Sequence, residues 1–350
     1  MKQTLRDFLC PQPKSKIKAG DGQLKGAYNF YTSSQIQSKF YHSATYTQPA
    51  LIFGTGGMAS VHYCNEPFST STDCLVMYGR LGAPLELIYY YLRSNMHLLQ
   101  DGFKGAGLQH ISKDYILNIN INMPAPSLQE QITHQMRLID AMINGKKQQI
   151  LSFDEAVKSR FIELFGVYPS NPKGWETATI RDIVADVRYG SSRPAVDGGK
   201  YPYLRMNSIT YGGELDLTDT KRIDIPDNEL DKCTVRRGDV LFNRTNSKEL
   251  VGKTCVYNRD EMMVLAGFVI RVRVTERVLP EFLSAFLNTD FSKQMLLGMC
   301  KAAIGQANIN AQEMQNIGIY LPPTELQRQF VQFKEQTDKS KLFDEMEVAA

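Results

Sequence analysis

Three loops of this chain carry the residue types that read nucleic-acid bases. They are "VRYGSSRPA" (Val187 to Ala195), "YLRMNS" (Tyr203 to Ser208) and "NRTNSKELVGKT" (Asn243 to Thr254), which interleave Arg, Asn, Ser, Thr, Lys and Tyr. A guanidinium fork matches the two acceptors of guanine and a carboxamide matches adenine, while Ser, Thr and Lys suit phosphate oxygens. The stretches "PKSKIKAG", "YTSSQIQSK" and "GFKGAGLQH" are of the same kind and lie in the first half. Any one such loop reads equally well as a solvated turn. Similar loops at matched places in two halves of a chain favour recognition.

Bond-making chemistry finds less support. "FGTGG" (Phe53 to Gly57) has the look of a glycine loop for S-adenosylmethionine. An adenine-N6 methyltransferase also needs an Asn/Asp-Pro-Pro-aromatic motif around its flipped base, and the only Pro-Pro, Pro322-Pro323, precedes a helix start. The cluster therefore reads as a strand-ending turn. "IPDNELDK" (Ile225 to Lys232) lacks the spacing of a nuclease motif and reads as a polar turn. Arg237-Gly238-Asp239 reads as a turn feeding the strand "VLF". His42, His62, His97, His110 and His134 all lie in the first half, without metal-ligand spacing. No Ser-His-Asp or Cys-His arrangement follows from residue order.

The elements that must position the loops are written twice. "MPAPSLQEQI" (Met123 to Ile132) and "LPPTELQRQF" (Leu321 to Phe330) align at an offset of 198, so that Gln129 meets Gln327 and Ile132 meets Phe330. Upstream, "AGLQHIS" (Ala106 to Ser112) meets "IGQANIN" (Ile304 to Asn310), with Gly107 on Gly305, His110 on Asn308 and Ile111 on Ile309. "ALIFGT" (Ala50 to Thr55) meets "DVLFNR" (Asp239 to Arg244), "GAYNFYTSSQI" (Gly26 to Ile36) meets "GKYPYLRMNSI" (Gly199 to Ile209), and "TLRDF" (Thr4 to Phe8) meets "TIRDI" (Thr179 to Ile183). Matches in one order argue for a tandem duplication. Each copy is a mixed, mostly β module followed by a helix. "PALIFG", "DVLFNR", "TCVYN" and "MMVLAGFVIRVRV" read as strands, and "LELIYYYLRSNMHLLQ" and "PEFLSAFLNTDFSKQMLLGM" as short internal helices.

The helix after the first module has a four-three apolar spacing: Ile132, Met136, Ile139, Ile143, then Ile150, Phe153 and Val157. Lys146 and Arg160 interrupt the series and Leu164 rejoins it. This is a coiled-coil seam, about 58 Å long from Ser127 to Phe165 at about 1.5 Å per residue. Ser127-x-x-Glu130 and Thr324-x-x-Gln327 read as capping boxes that start the two helices. The second helix carries Leu326, Phe330 and Phe333, then a polar stretch, then Leu342, Phe343 and Met346. Its counterpart of Phe165 falls beyond Ala350, so it reads as shortened. The 350 residues suffice for two cored domains, and a net charge of only +3 requires any basic surface to be local. Six scattered cysteines without a C-x-x-C pair and no apolar signal core point to the cytoplasm and to no membrane.

As an ordered set, these features resemble the DNA specificity subunit of type I restriction-modification systems. The resemblance covers nearly the whole chain and rests on the two modules, the repeated helix start, "GDVLFNRTNS", "YNFYTSS" and the "ANIN…IYLPP" run. It implies an α+β fold in which two mostly-β target-recognition domains in tandem are separated by two long helices packed as an antiparallel coiled coil with pseudo-two-fold symmetry. The first recognition domain would span 1–123, the first spacer helix 124–167, the second recognition domain 168–320 and the shortened spacer helix 321–350. The DNA-contacting residues would be Arg188, Ser191, Arg193, Arg205, Asn207, Arg244, Asn246 and Lys248 in the second module. In the first they would be Thr32, Ser33, Gln35, Lys104 and His110. The seam residues and Leu326, Phe330 and Phe333 would build the spacer and dock partners. Those partners would be double-stranded DNA, two modification (methyltransferase) subunits and restriction subunits. S-adenosylmethionine, ATP and Mg would belong to the partners, with no cofactor and no catalysis in this chain. In that family incomplete halves can pair between chains, which leaves a homodimer open. The alternatives are a stand-alone methyltransferase or nuclease, and a coiled-coil scaffold that ignores DNA.

Overall fold

A computed structural model of the chain describes residues 3–105, 107, 109–300 and 307–349. The match of Gly107 with Gly305 therefore lies outside the described residues. The chain divides into two compact units, residues 1–144 and 145–350.

In the first unit an antiparallel sheet orders its strands Leu9–Pro11, Cys74–Gly79, Ala50–Gly54 and Val61–Cys64. Beside it a second sheet runs Lys39–Tyr41, Tyr28–Tyr31, Phe68–Thr70, its last pair parallel. The second unit repeats the plan. Val184–Tyr189, Val269–Val274, Val240–Asn243 and Thr254–Val256 form the antiparallel sheet. Lys221–Ile223, Tyr201–Leu204, Met263–Leu265 and Thr234–Val235 form the other, again with one parallel pair at its centre. The middle strands Ala50–Gly54 and Val240–Asn243 are buried along their whole length, which is why they read as unbroken apolar runs. The run expected as one strand at Met262 is two strands, parted at Ala266–Phe268. "IPDNELDK" is a helix, Asp227–Cys233, and not a polar turn. Asp227 and Glu229 sit in its first turn and Lys232 in its last, the charge order that the peptide dipoles favour.

The duplication extends to individual hydrogen bonds. Thr4 and Thr179 both receive the carboxylate of the residue three on, Asp7 and Asp182, on their backbone N–H at 2.8 Å. The N–H of Leu5 bonds the carbonyl of Ile119 at 3.0 Å, and that of Ile180 the carbonyl of Ile317 at 2.9 Å. Arg6 donates to Asn118 at 3.3 Å and Arg181 to Asn316 at 3.0 Å. The N–H of Ile111 bonds Thr55 at 3.2 Å, and that of Ile309 bonds Arg244 at 2.9 Å.

The repeated helix start has a cause other than the expected capping boxes. The helices begin at Pro126 and Thr324, so Ser127 lies inside the first turn and cannot cap it. Instead the first Gln of each Leu-Gln-x-Gln reaches back. Gln129 Nε2 donates to the Pro124 carbonyl at 3.0 Å and Gln327 Nε2 to the Pro322 carbonyl at 2.8 Å. Proline withholds its own N–H, so the chain enters the helix extended, and the carboxamide satisfies the carbonyl left behind. The first helix then runs 40 residues, Pro126–Phe165, and the second 26, Thr324–Ala349.

In the second unit the two helices lie side by side and antiparallel. Phe161 meets Phe330 edge-on at 5.3 Å, Arg160 covers the Phe333 ring, Lys341 pairs with Asp154 at 2.8 Å, and Lys146 pairs with Asp344 at 2.7 Å. Each step forward on one helix is a step back on the other. An aromatic core of Phe161, Phe165, Phe282 and Phe330 roots both helices in the module.

Candidate nucleic-acid interface

The bend between Met263–Leu265 and Val269–Val274 gathers two of the polar loops of the second module. The backbone of Ser191 bonds both sides of it, its N–H to Leu265 at 2.6 Å and its carbonyl to the N–H of Gly267 at 2.7 Å. Gly190 permits this approach, since a Cβ there would lie 2.2 Å from the Leu265 oxygen. Arg244 bonds the same bend through its N–H to Phe268 at 2.9 Å. Its guanidinium lies over the Tyr189 ring at 4.9 Å and donates to Gly267 at 3.4 Å. Ser191, Arg244 and the half-exposed Tyr189 thus form one cluster. Asn246 follows on the strand Thr245–Asn246, which pairs with Ala307–Asn308. Its Oδ1 is taken by the N–H of Ser247 at 2.8 Å, and Lys248 beyond it is exposed.

The other arginines are held by carboxylates. Arg193 makes a two-point contact with Glu229 at 2.7 and 3.3 Å. Arg205 reaches Asp219 at 2.6 Å, where Asn207 also donates at 3.4 Å. Arg188 bonds Asp186 at 2.8 Å, and the buried Arg271 bonds the other oxygen of Asp186 at 2.7 Å. Burial alone would raise the Asp186 carboxyl, but these two guanidinium groups outweigh it and hold it below the usual carboxylate range. Such charge-assisted contacts hold the exposed guanidinium forks in a fixed geometry. Among the described residues Arg244 faces a ring and a carbonyl and no carboxylate, which leaves most of its fork uncommitted. Tyr189, Asp219 and Glu229 were not singled out from sequence. Tyr189 lies inside a quoted loop and Glu229 inside "IPDNELDK", but the two acids sit 14 and 36 residues from their arginines, and nothing local pairs them.

In the first unit the expected residues divide. Ser33 Oγ donates to the Asp73 carbonyl at 2.7 Å and accepts from the N–H groups of Thr55 and Gly56 at 3.2 and 3.4 Å. The His110 ring donates to the Thr55 carbonyl at 3.0 Å. Ser33 and His110 therefore fix the turn after Ala50–Gly54. Thr32 accepts from Ser34 at 3.4 Å, Gln35 donates to Ala59 at 3.0 Å, and Lys104 is exposed beside His110, with which its backbone pairs.

Of the seam residues, Ile132, Met136, Ile143, Ile150, Phe153 and Val157 are half-buried, whereas Ile139 is 48 % exposed. The adjacent Asp140 turns inward to a two-point pair with Arg93 at 2.8 and 2.5 Å, and Arg137 pairs likewise with Glu86. Leu326 and Phe333 are half-buried and Phe330 is fully buried. Leu342, Phe343 and Met346 are exposed by 58 to 64 %, an apolar face at the end of the second helix. Among the described residues no cluster of His, Cys, Asp or Glu could hold a metal, and no helix is long and apolar enough to cross a membrane.

Comparison with known proteins places this arrangement. The model of the type I restriction modification DNA specificity domain matches residues 3–152 and 172–344. The chain is similar to the specificity subunit of the type I restriction enzyme EcoKI of Escherichia coli strain K12, 25% identical over 234 residues, 62% of this chain and 50% of that one. It is 24% identical over 143 residues to the EcoDI specificity subunit of Escherichia coli, covering 41% of this chain and 32% of the relative. The chain thus spans half the length, or less, of these curated relatives. Among solved structures, the S subunit of the type I restriction-modification system from M. genitalium has the same fold, with a TM-score of 0.60 at 13% identity, covering 100% of this chain and 92% of that one.

Proposed function

This chain belongs to the family of the type I restriction modification DNA specificity domain, and from that premise we propose that it reads a split sequence in double-stranded DNA, one part through each unit. The observation that carries the reading is the duplication, hydrogen bond by hydrogen bond, of a module with polar loops and a helix start. Two readers joined by a long helix define two half-sites and an unread gap. Arg244, stacked on Tyr189, reads a guanine edge, and Arg188, Arg193 and Arg205 exchange their carboxylates for phosphate or base contacts, with Ser191, Asn207, Asn246 and Lys248 beside them. In the first unit Gln35, Lys104 and Thr32 make the contacts, and Ser33 and His110 hold the turn that presents them.

The chain supplies the address and makes no bond itself. The spacer helices dock two modification subunits, which bring S-adenosylmethionine, and restriction subunits join with ATP and Mg, in the cytoplasm. The test uses the assembled methylating complex and a panel of duplexes varied at each half-site. Arg244→Ala lowers affinity by about 10- to 100-fold through one half-site, the weight of a two-point base contact at about 1–3 kcal/mol. Equal losses at both half-sites, or none, would refute the two-reader arrangement.

A further inference from the structure

The second unit encloses a cavity of about 340 Å³ apart from the polar loops discussed above. It lies where the end of the first long helix, the start of the second and the helices Pro280–Leu287 and Asp290–Met299 meet, beside the turn Tyr211 to Glu214. Its walls include the aromatic rings of Phe161, Tyr168, Phe286, Phe291, Tyr320 and Phe330, with the carboxylates of Asp154, Glu214, Asp290 and Asp338 also around it. This is the size and lining of a small-molecule site.

Two polar atoms on the cavity-lining residues lack partners. Lys293 Nζ is buried without a hydrogen bond and rests over the Tyr211 ring at 5.0 Å. Asn288 Oδ1 is also buried and unpartnered, while its Nδ2 donates to the carbonyls of Thr254 at 2.7 Å and Ser284 at 2.9 Å. Burial, with the Lys253 charge nearby, draws the Lys293 ammonium down to about 8, so it still carries a proton at neutral pH. Of the lysines lining the cavity, Lys334 pairs with Asp338 and Lys158 with Glu155, and the nearby Lys341 pairs with Asp154 and Glu214. Lys293 is the lining lysine that has no carboxylate partner among the described residues, and an unpaired buried ammonium is costly.

We propose that this cavity binds a small monoanionic carboxylate with a flat apolar body, its carboxylate on Lys293 Nζ, its body between the aromatic walls, and a hydroxyl or amine donating to Asn288 Oδ1. The site is independent of DNA reading. A ligand there touches both spacer helices and the module at once, and so stabilises the second unit.

The test titrates 6-hydroxy-2-naphthoate into the full chain by calorimetry, with 2-naphthol as its uncharged counterpart. One saturable site per chain is expected. Lys293→Met, which keeps the apolar stem, is expected to weaken the naphthoate at least tenfold while 2-naphthol binds wild type and variant alike. Acetylation of Lys293 by acetic anhydride, read by mass spectrometry on the wild-type chain, should slow when the naphthoate is bound. Absence of saturable binding, equal affinity in Lys293→Met, or unprotected acetylation would overturn the proposal.

Discussion

Replacing Gln327 by alanine should damage the second unit far more than replacing Gln129 damages the first. Gln327 is fully buried and makes three bonds. Its Oε1 accepts from Leu279 N–H at 2.8 Å, and its Nε2 donates to Pro322 at 2.8 Å and Arg277 at 3.2 Å. Alanine strands the Leu279 donor and the Pro322 acceptor away from water, at about 1–3 kcal/mol each, whereas Arg277 lies at the surface where water can replace the carboxamide. The expected loss is about 3 kcal/mol. Gln129, half-buried, has the single bond to Pro124, and its loss should cost about 1 kcal/mol. The chain offers its own reporter, because its one tryptophan, Trp175, donates to the Phe165 carbonyl at 3.0 Å in the second unit. In urea, with a slope of about 2 kcal/mol per molar, Gln327→Ala should move the Trp175 fluorescence transition down by about 1.5 M. Gln129→Ala should leave that transition in place. A shift below about 0.5 M for Gln327→Ala, or an equal shift for Gln129→Ala, would refute the claim that the repeated glutamine holds each helix start.

Gly145 lies inside the long helix with open space around its Cα, so Gly145→Ala should stabilise the helix by up to about 1 kcal/mol, read as a raised urea midpoint. Asp186→Asn removes the carboxylate from the buried Arg271 and should cost about 2 kcal/mol at neutral pH. Because the folded Asp186 carboxyl lies below its unfolded value near 3.9, its contribution is present above that pH and is lost as pH falls through the folded value. The stability gap between wild type and Asp186→Asn should therefore close below about pH 3.9, and a gap constant down to pH 2 would contradict the pairing.

The duplication was legible because equivalent bonds demand equivalent residue types. Thr-x-x-Asp closes both module starts, and Asn118 and Asn316 answer Arg6 and Arg181. The glutamine at the helix start was visible too, but Ser127-x-x-Glu130 offered a competing local pattern, and only the position of Pro126 in the first turn decides between them. The helix Asp227–Cys233 was missed because its stretch is short and polar and lacks an apolar stripe. The side-by-side sheets, the bend at Ala266–Phe268 and the carboxylates facing Arg193 and Arg205 depend on residues far apart in the chain, which no window of sequence displays. The polar stretches read as loops in fact include strand ends, with Arg188 on Val184–Tyr189 and Asn246 on Thr245–Asn246, and sequence could not separate Ser33 and His110, which brace a turn, from the exposed Lys104 and Lys248.

The most direct test of the account is single-molecule mapping of N6-methyladenine across the host genome with this gene intact and deleted. The account predicts that one split motif, two short read sequences about an unread gap, loses its methylation on deletion and no other motif changes. A methylation pattern identical in both strains would contradict the claim that this chain gives a DNA-modifying complex its address.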